Sequence, residues 1–262
     1  MRSFPFVLPA VLCAAFIPAA SAAAQTESQS NLVLTILAGA VTGHHLWTIE
    51  KQPLAVVGQP GQFDTLRLAR QIGSSIVVGA SATYFFSPHA GVHAEISYLG
   101  LPVDDDCKVI FDADTTNLTH QVCDDIRTKS GGAGAVSIFT GVTVRAAPQR
   151  SLSPYLRANV GIVATTRSTV EVFGGPPPPR LVILDPSPQR VAPLFGVAVG
   201  FTRPAGGYQF RLELRDVLTS IERVTGPANT AGIAPTASRY YHHIALTLGL
   251  DVVLEKKRGR RY

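Results

Sequence analysis

Large apolar residues alternate with small or polar residues along most of the chain, as they do in a β-strand with one apolar face. In the segment 242–254, the even positions from Ile244 to Leu254 are large and apolar, whereas the odd positions from Ala245 to Asp251 are small or polar. The segment 31–42 has the weakest pattern, because apolar residues occupy both of its faces. The alternation predicts about eight strands, at 31–42, 74–86, 91–99, 135–146, 154–167, 191–202, 208–215 and 242–254.

The connections between these strands alternate between long and short. The long ones lie at roughly 43–62, 101–130, 170–190 and 217–238, and the short ones, rich in proline, glycine and small residues, lie at 87–90, 147–153 and 204–207. Barrels of the bacterial outer membrane have this asymmetry, with short periplasmic turns and long extracellular loops. The order of elements therefore predicts an antiparallel up-and-down meander.

A membrane barrel and a soluble, lipocalin-like ligand-binding barrel differ in which strand face forms the core. With the apolar face inside, eight strands would crowd large side chains into a narrow interior and leave few charges on the surface. With the apolar face outside, large side chains meet lipid, and ring closure satisfies every backbone polar group. We therefore predict an all-β protein, an eight-stranded antiparallel up-and-down transmembrane β-barrel, and keep the soluble barrel as the alternative.

The first 24 residues have the composition of a secretory signal peptide. Arg2 precedes an apolar run from Phe4 to Ala20, and small residues follow, so that cleavage is expected after Ala22 or Ala24. A membrane anchor is the alternative reading, which the short run and its prolines disfavour. We expect a signal peptide at 1–24, a barrel domain at 25–255 and a basic periplasmic tail at 256–262.

The charge of the chain is low and unevenly placed. Only 16% of the residues are charged, against about 25% in an average soluble domain, which disfavours an ordinary cytosolic enzyme. The net charge is +5, but five basic residues lie in the tail at 256–262. Without these five and Arg2, 17 basic groups oppose 18 acidic ones. The basicity therefore belongs to the tail, and we expect no nucleic-acid partner.

Two cysteines remain after removal of the signal peptide. Cys107 and Cys123 are an even pair in an oxidising compartment, and we expect them to form one disulfide. A metal site is the alternative, but the chain has no CxxC motif or nearby histidine pair to support it. We expect no metal and no cofactor.

Charged residues on the small, inward faces of the predicted strands must pair inside the barrel. We expect them to form a plug, which we call the lumen charge network; an ion pathway lined by its arginines is the alternative. The network comprises Glu95, Arg145, Arg157, Arg211, Glu213, Arg215 and Asp251.

Aromatic residues cluster near predicted strand ends, as in the interfacial girdles of membrane barrels. The residues concerned are Tyr84, Phe85, Phe86, Tyr208, Tyr240 and Tyr241.

Two histidine pairs are the obvious candidates for chemistry, at 44–45 and at 242–243. Adjacent residues of a strand point to opposite faces, so neither pair is suited to chelating one metal. We interpret these histidines as surface or interfacial residues, and we find no catalytic motif.

The chain resembles the small outer-membrane β-barrel proteins of the OmpA-like, OmpW-like and OmpX-like group over residues 25–255. The resemblance rests on the topology, on the strand start Ser153-Pro154-Tyr155-Leu156, on Arg211-Leu212-Glu213-Leu214-Arg215-Asp216 and on the last strand. There, Thr247, Gly249, Val252 and Leu254 are similar to the signal by which the outer-membrane assembly machinery recognises its clients. Two features depart from it: Leu254 stands where an aromatic residue is expected, and the chain continues to Tyr262.

The resemblance implies an integral protein of the cell outer membrane with a structural, adhesive or small-solute-related role. Because no Gly-x-Ser-x-Gly or comparable motif is present, we expect that it is not an enzyme. A lipid-A-modifying enzyme is the alternative that the same group of barrels suggests. The expected partners are outer-membrane lipids and lipopolysaccharide, the barrel-assembly machinery and periplasmic chaperones, with the protein itself a monomer.

Overall fold

The computed structural model describes residues 31–128, 131–148, 151–205 and 207–255. The predicted signal peptide and the basic tail lie outside these residues. The described elements, in chain order, are β1 (Asn31–Val41), β2 (His44–Ala55), β3 (Phe63–Ile72), β4 (Ser75–Phe85), β5 (Ala90–Phe111), α1 (Leu118–Thr128), β6 (Gly131–Arg145), β7 (Ser153–Thr165), β8 (Val172–Gly174), β9 (Arg180–Ile183), β10 (Val191–Ala205), β11 (Tyr208–Val224) and β12 (Thr236–Glu255).

Eight of the described strands form a closed antiparallel ring, in the order β1, β4, β5, β6, β7, β10, β11, β12. β1 closes the ring because it pairs with β4 on one side and with β12 on the other. Thr35, for example, lies opposite both Ser81 and Asp251. The predicted eight-stranded up-and-down barrel is confirmed.

The two ends of the barrel differ. The short turns, the start of β1 and the end of β12 share one end, which we call the turn end. The long connections share the opposite end, which we call the cap end. In outer-membrane barrels this second end faces the outside of the cell.

The cap-end connections are folded, which corrects the prediction of long loops. The predicted loop at 43–62 contains β2 and the turn to β3, and the loop at 101–130 contains the continuation of β5 and the helix α1. β3 pairs with the continued part of β5, with Leu68 opposite Cys107. Register shifts within the β2–β3 pairing disturb the period-two pattern of β2, and this explains why its sequence does not read as a strand.

These connections form a small domain, the cap, comprising residues 44–72, 101–128, 166–190 and 220–241. The cap buries its own apolar core, separate from the barrel wall. Its members are Leu46, Trp47, Ile49, Leu54, Leu66, Leu68, Ile72, Cys107, Val122, Cys123, Ile126, Val170, Val172, Val182, Ile183, Val224, Ala228 and Ala234.

The expected disulfide joins Cys107 on β5 to Cys123 on α1. The same helix is capped by Asp114, whose carboxylate accepts hydrogen bonds from the backbone N–H groups of Leu118 and Thr119 at 2.8 and 3.1 Å. Hydrogen bonds from Thr116, together with these, lower the pKa of Asp114 to about 2. The helix is thus fixed at its start by Asp114 and in its middle by the disulfide.

One buried ion pair joins three segments of the cap. Arg70 on β3 donates two hydrogen bonds to Asp105 on β5, at 2.6 and 2.7 Å, and a third to the carbonyl oxygen of Glu171 at 2.8 Å. Its guanidinium also lies 5.4 Å from the ring centroid of Trp47. These contacts join the cap segments to one another, so that the cap is not a set of independent loops. No helix among the described residues is long and apolar enough to cross a membrane.

Candidate binding cavity in the barrel lumen

The outer surface of the ring is a belt of large apolar side chains. On β1, Ile36 is 74% exposed, whereas Val33 and Leu37 on the inward face are buried. The same alternation is found on the other ring strands, with exposed residues that include Ile76, Val78, Val92, Ile96, Ile138, Val142, Leu156, Val160, Phe195, Val197, Val199, Phe210, Leu214, Leu246 and Leu248.

Such a belt around a closed ring is stable in hydrocarbon and not in water. The inward faces at the turn end carry the charges instead. The molecule is an integral outer-membrane β-barrel protein. The alternative of a soluble lipocalin-like barrel would have the apolar faces inside, and the structure places them outside.

Four buried charges cross the lumen just below its middle and form what we call the floor. Arg215 on β11 lies 2.6 Å from Glu95 on β5 and 2.6 Å from Glu213 on its own strand. Arg157 on β7 lies 3.4 Å from Glu213 and 3.7 Å from Glu95. Two arginines and two glutamates therefore balance each other, and the hydroxyl of Tyr155 donates a further hydrogen bond to Glu213 at 2.7 Å.

A second ion pair lies closer to the turn end. Arg211 is 2.9 Å from Asp251, and the hydroxyl of Thr35 donates to the same carboxylate at 2.8 Å. Six of the seven residues of the lumen charge network therefore meet as ion pairs. Arg145 does not form an ion pair with any described residue; its guanidinium stacks 3.5 Å from the centroid of the Phe85 ring.

The turn half of the lumen is nearly filled. The cavity between Arg145, Arg211 and Asp251 has a volume of about 10 Å³, which is room for about one water molecule. That the network blocks the passage of ions, as a plug would, stays a prediction.

Above the floor, the lumen changes from charged to apolar. A cavity of about 90 Å³ lies between Arg215 of the floor and the cap. Its wall is formed by inward-facing residues near the cap ends of the ring strands, and polar residues occur mainly near its rim. The wall includes Val41, Val77, Leu99, Ala135, Phe139, Val163, Leu194, Val217 and Ala245, and the rim includes Gln189, Arg190 and Glu222.

The cavity was not predicted from the sequence, although the inward-facing residues of two strands contain a signal for it. On β5 the inward face runs from His93 and Glu95 to Leu99, and on β11 it runs from Glu213 to Val217. An inward face that becomes apolar toward one end predicts a lumen divided into a polar and an apolar half. Alternation by itself assigns one character to the whole inward face of each strand.

One histidine of each pair meets the other where the chain leaves β1 beside β12. The ring of His44 stacks on Tyr241 with centroids 4.8 Å apart and meets the edge of His243 at 4.5 Å. Burial lowers the pKa of His44. The expectation of surface or interfacial histidines is therefore wrong for His243, which is buried in the cavity wall, and fits His242, which is exposed.

The aromatic residues near strand ends divide between the two sides of the wall. Tyr84, Phe86, Tyr208 and Tyr240 are exposed on the outer surface, as a girdle requires. Phe85 and Tyr241 instead face inward, where Phe85 stacks with Arg145 and the hydroxyl of Tyr241 donates to the carbonyl oxygen of Leu46 at 3.0 Å. They alternate with their girdle neighbours because adjacent strand residues point to opposite faces.

The predicted assembly signal lies on the half of β12 that pairs with β1. Thr247 is buried in the lumen, whereas Val252 and Leu254 are exposed on the belt. Gly249 lies between Thr35 and Arg211, whose side chains would lie 3.1 and 3.4 Å from an added Cβ atom. Recognition of this strand by the assembly machinery stays a prediction.

No known protein-family model matches the chain, and no curated protein shows significant sequence similarity to it. Solved structures similar to it are outer-membrane proteins. The solid-state NMR structure of AlkL in DMPC bilayers has 13% identity and a TM-score of 0.44, covering 92% of this chain and 97% of that one. The crystal structure of OprG from Pseudomonas aeruginosa has 9% identity and a TM-score of 0.48, covering 87% and 98%. The protease OmpT from Escherichia coli has 9% identity and a TM-score of 0.36, with the same coverage.

Proposed function

We propose that this barrel binds a small, largely apolar solute in the cap half of its lumen. The observation that carries the proposal is the change of the inward face from charged to apolar above Arg215, which leaves a cavity whose lining surface is mostly apolar. Binding cavities are typically concave and apolar with few polar groups. Among the structural, adhesive and solute-related roles expected from the sequence, this geometry favours the last.

The size of the cavity limits what enters it. Its 90 Å³ is less than the roughly 150 Å³ of an engineered cavity that takes up benzene. A short alkyl chain would therefore fill it, and a ring or any other larger part of the solute would extend to the rim beside Gln189 and Arg190. Lipids of ordinary length do not fit inside.

The floor supports binding rather than ion conduction. Arg157, Arg215, Glu95 and Glu213 close the lumen by pairing with one another. An ion would have to replace these contacts while losing its own hydration, which is unfavourable at a buried site. The ion-pathway alternative is therefore not our proposal.

We also propose that the protein is not an enzyme. A lipid-A-modifying site would need a nucleophile, a base and an acid near the outer rim. His242 and Asp216 do lie on the outer surface, 2.9 Å apart. However, the hydrogen bonds of the His242 ring to described residues go to Asp216 alone, so that no hydroxyl nucleophile is positioned by it.

Binding of a fluorescent apolar probe, N-phenyl-1-naphthylamine, to the refolded protein tests the proposal. Ala245 lines the cavity and Leu246 faces lipid, so Ala245→Phe should fill the cavity and Leu246→Phe is the matched control. We expect probe binding to weaken at least tenfold in Ala245→Phe and to stay unchanged in Leu246→Phe. Heat-modifiable migration on gels shows that each variant is folded. Equal binding by both variants, or none by the unaltered protein, would contradict the proposal.

Adhesion is a second candidate, favoured by apolar residues exposed on the cap. Phe63, Ile110 and Phe111 are 40%, 52% and 59% exposed on the sheet of β3 and β5, beyond the belt. A cap serving only as a lid would not need them. Cells that display the triple serine variant should lose adhesion to host surfaces while the purified variant keeps probe binding; unchanged adhesion would exclude this role.

A further inference from the structure

One polar atom in the cavity wall lacks a partner. His243 is only 6% exposed, and its Nε2 atom is buried without a hydrogen-bond partner among the described residues. Such orphaned groups are rare in native proteins, because burying a polar atom without a hydrogen bond is unfavourable. Both ring nitrogens of His44, whose ring contacts that of His243, also lack partners among the described residues, but His44 does not line the cavity. The cavity contents are therefore a partner that the His243 ring can reach.

The other buried polar groups of the cavity wall are already satisfied. The hydroxyls of Ser97 and Ser137 lie 2.6 Å apart and bond to each other, and Thr219 donates to the carbonyl oxygen of Pro193 at 3.1 Å. Arg215 is held by its two carboxylates. Among the described residues that line the cavity, His243 is therefore the one with an unused buried atom.

The ring of His243 is also held in place. It meets the edge of His44, which in turn stacks on Tyr241, and Tyr241 is fixed by its hydrogen bond to Leu46. Fixing a polar group before the ligand arrives reduces the cost of binding. The three aromatic rings therefore form a rigid support for one directed hydrogen bond.

We propose that His243 is the polar contact of the cavity, which selects an apolar molecule carrying one uncharged hydrogen-bonding group such as a hydroxyl. The proposal rests on the binding function above and names its ligand class. A hydroxyl suits Nε2 in either tautomer, because it both donates and accepts. An anionic group is disfavoured at the base of the cavity, because Arg215, the cation of the floor, is already neutralised by Glu95 and Glu213.

Displacement of the bound probe by two ligands of similar size, cyclohexanol and methylcyclohexane, tests this. The measured quantity is the ratio of their inhibition constants. We expect the preference for cyclohexanol to fall about tenfold or more in His243→Leu, since an unpaired buried polar group is commonly worth that much. His243→Gln, which keeps a hydrogen-bonding group, should retain part of the preference, and His242→Leu should leave it unchanged.

The outcomes separate this inference from the binding function. If both ligands displace the probe and the ratio is the same in the unaltered protein and in His243→Leu, the cavity binds apolar solutes but His243 does not select them, as when a water molecule satisfies Nε2. If neither ligand displaces the probe, the binding function itself fails.

A second experiment uses the unaltered protein and therefore does not depend on whether the variants fold. The ¹⁵N shift of the His243 ring should change with cyclohexanol and not with methylcyclohexane; equal shifts overturn the inference.

Discussion

Arg215 reaches across the lumen to Glu95, with Nη1 2.6 Å from Oε1, although the two residues are 120 positions apart in the chain. The contact joins β11 to β5, which are not neighbours in the ring. Together with Glu213 and Arg157 it forms a charge-balanced layer between the polar and apolar halves of the lumen. Stability, closure of the lumen and the shape of the cavity all depend on this layer.

Removing one charge of the floor should destabilise the barrel strongly. In Glu213→Gln, Arg157 and Arg215 share Glu95 alone, and breaking a buried ion pair typically costs about 3–5 kcal/mol. Glu50→Gln is the control, because Glu50 and Arg67 form an exposed pair worth less than about 1 kcal/mol. Urea unfolding in detergent, monitored by migration on gels, gives the free energy of unfolding of each variant. Similar midpoints for the two variants would show that the floor does not stabilise the barrel.

Loss of the disulfide should loosen the cap and leave the barrel folded. The bridge spans 16 residues, and a loop of that length contributes about 3 kcal/mol in the chain-entropy estimate. In the double variant Cys107→Ser, Cys123→Ser, we expect faster proteolysis near α1 with unchanged heat-modifiable migration. The unaltered protein treated with a reductant should be cleaved as fast as the double variant and should also keep its heat-modifiable migration. Cleavage at the same rate with and without the bridge would contradict the prediction.

A charge in the middle of the belt should be costly, and one near its edge should be tolerated. Ile36 lies at the centre of β1 and Leu32 near the turn end, both exposed on the belt. Arginine costs about 2–4 kcal/mol at the bilayer midplane of a barrel and about 0–1 kcal/mol near the interface. Refolding into lipid vesicles should therefore be impaired more by Ile36→Arg than by Leu32→Arg. The reverse order would place the membrane elsewhere on the barrel.

Gly200 should not tolerate a side chain, because the ring of Tyr155 covers it. An added Cβ atom would lie 2.6 Å from the Tyr155 hydroxyl oxygen and would also overlap the backbone oxygen of Leu212. We expect Gly200→Ala to lower the free energy of unfolding by about 1–3 kcal/mol, the usual cost of overpacking. Gly132→Ala meets no atom within 4 Å and should change it little. Equal urea midpoints would mean that Tyr155 moves aside freely.

The fold could be predicted because its signal is local. The alternation from Ile244 to Leu254 depends on neighbouring residues only, and the belt confirms it. The cap could not be predicted in the same way. In β2, adjacent residues Leu46 and Trp47 are both buried because a register shift intervenes, so that no simple period marks the strand.

The sequence by itself determined that strands form, which face of most strands meets lipid, and which charged residues lie in the lumen, because all three follow from alternation along one strand. For β1, whose two faces are both apolar, closure of the ring decided which face meets lipid. Only the tertiary structure decided which arginine meets which carboxylate, that Arg145 stacks on Phe85 instead, and that His44 meets His243. Contacts across a barrel depend on how the ring closes and how its strands are staggered, and these are properties of the whole ring. The apolar half of the lumen became a cavity only because the cap, folded around its own core, closes over it.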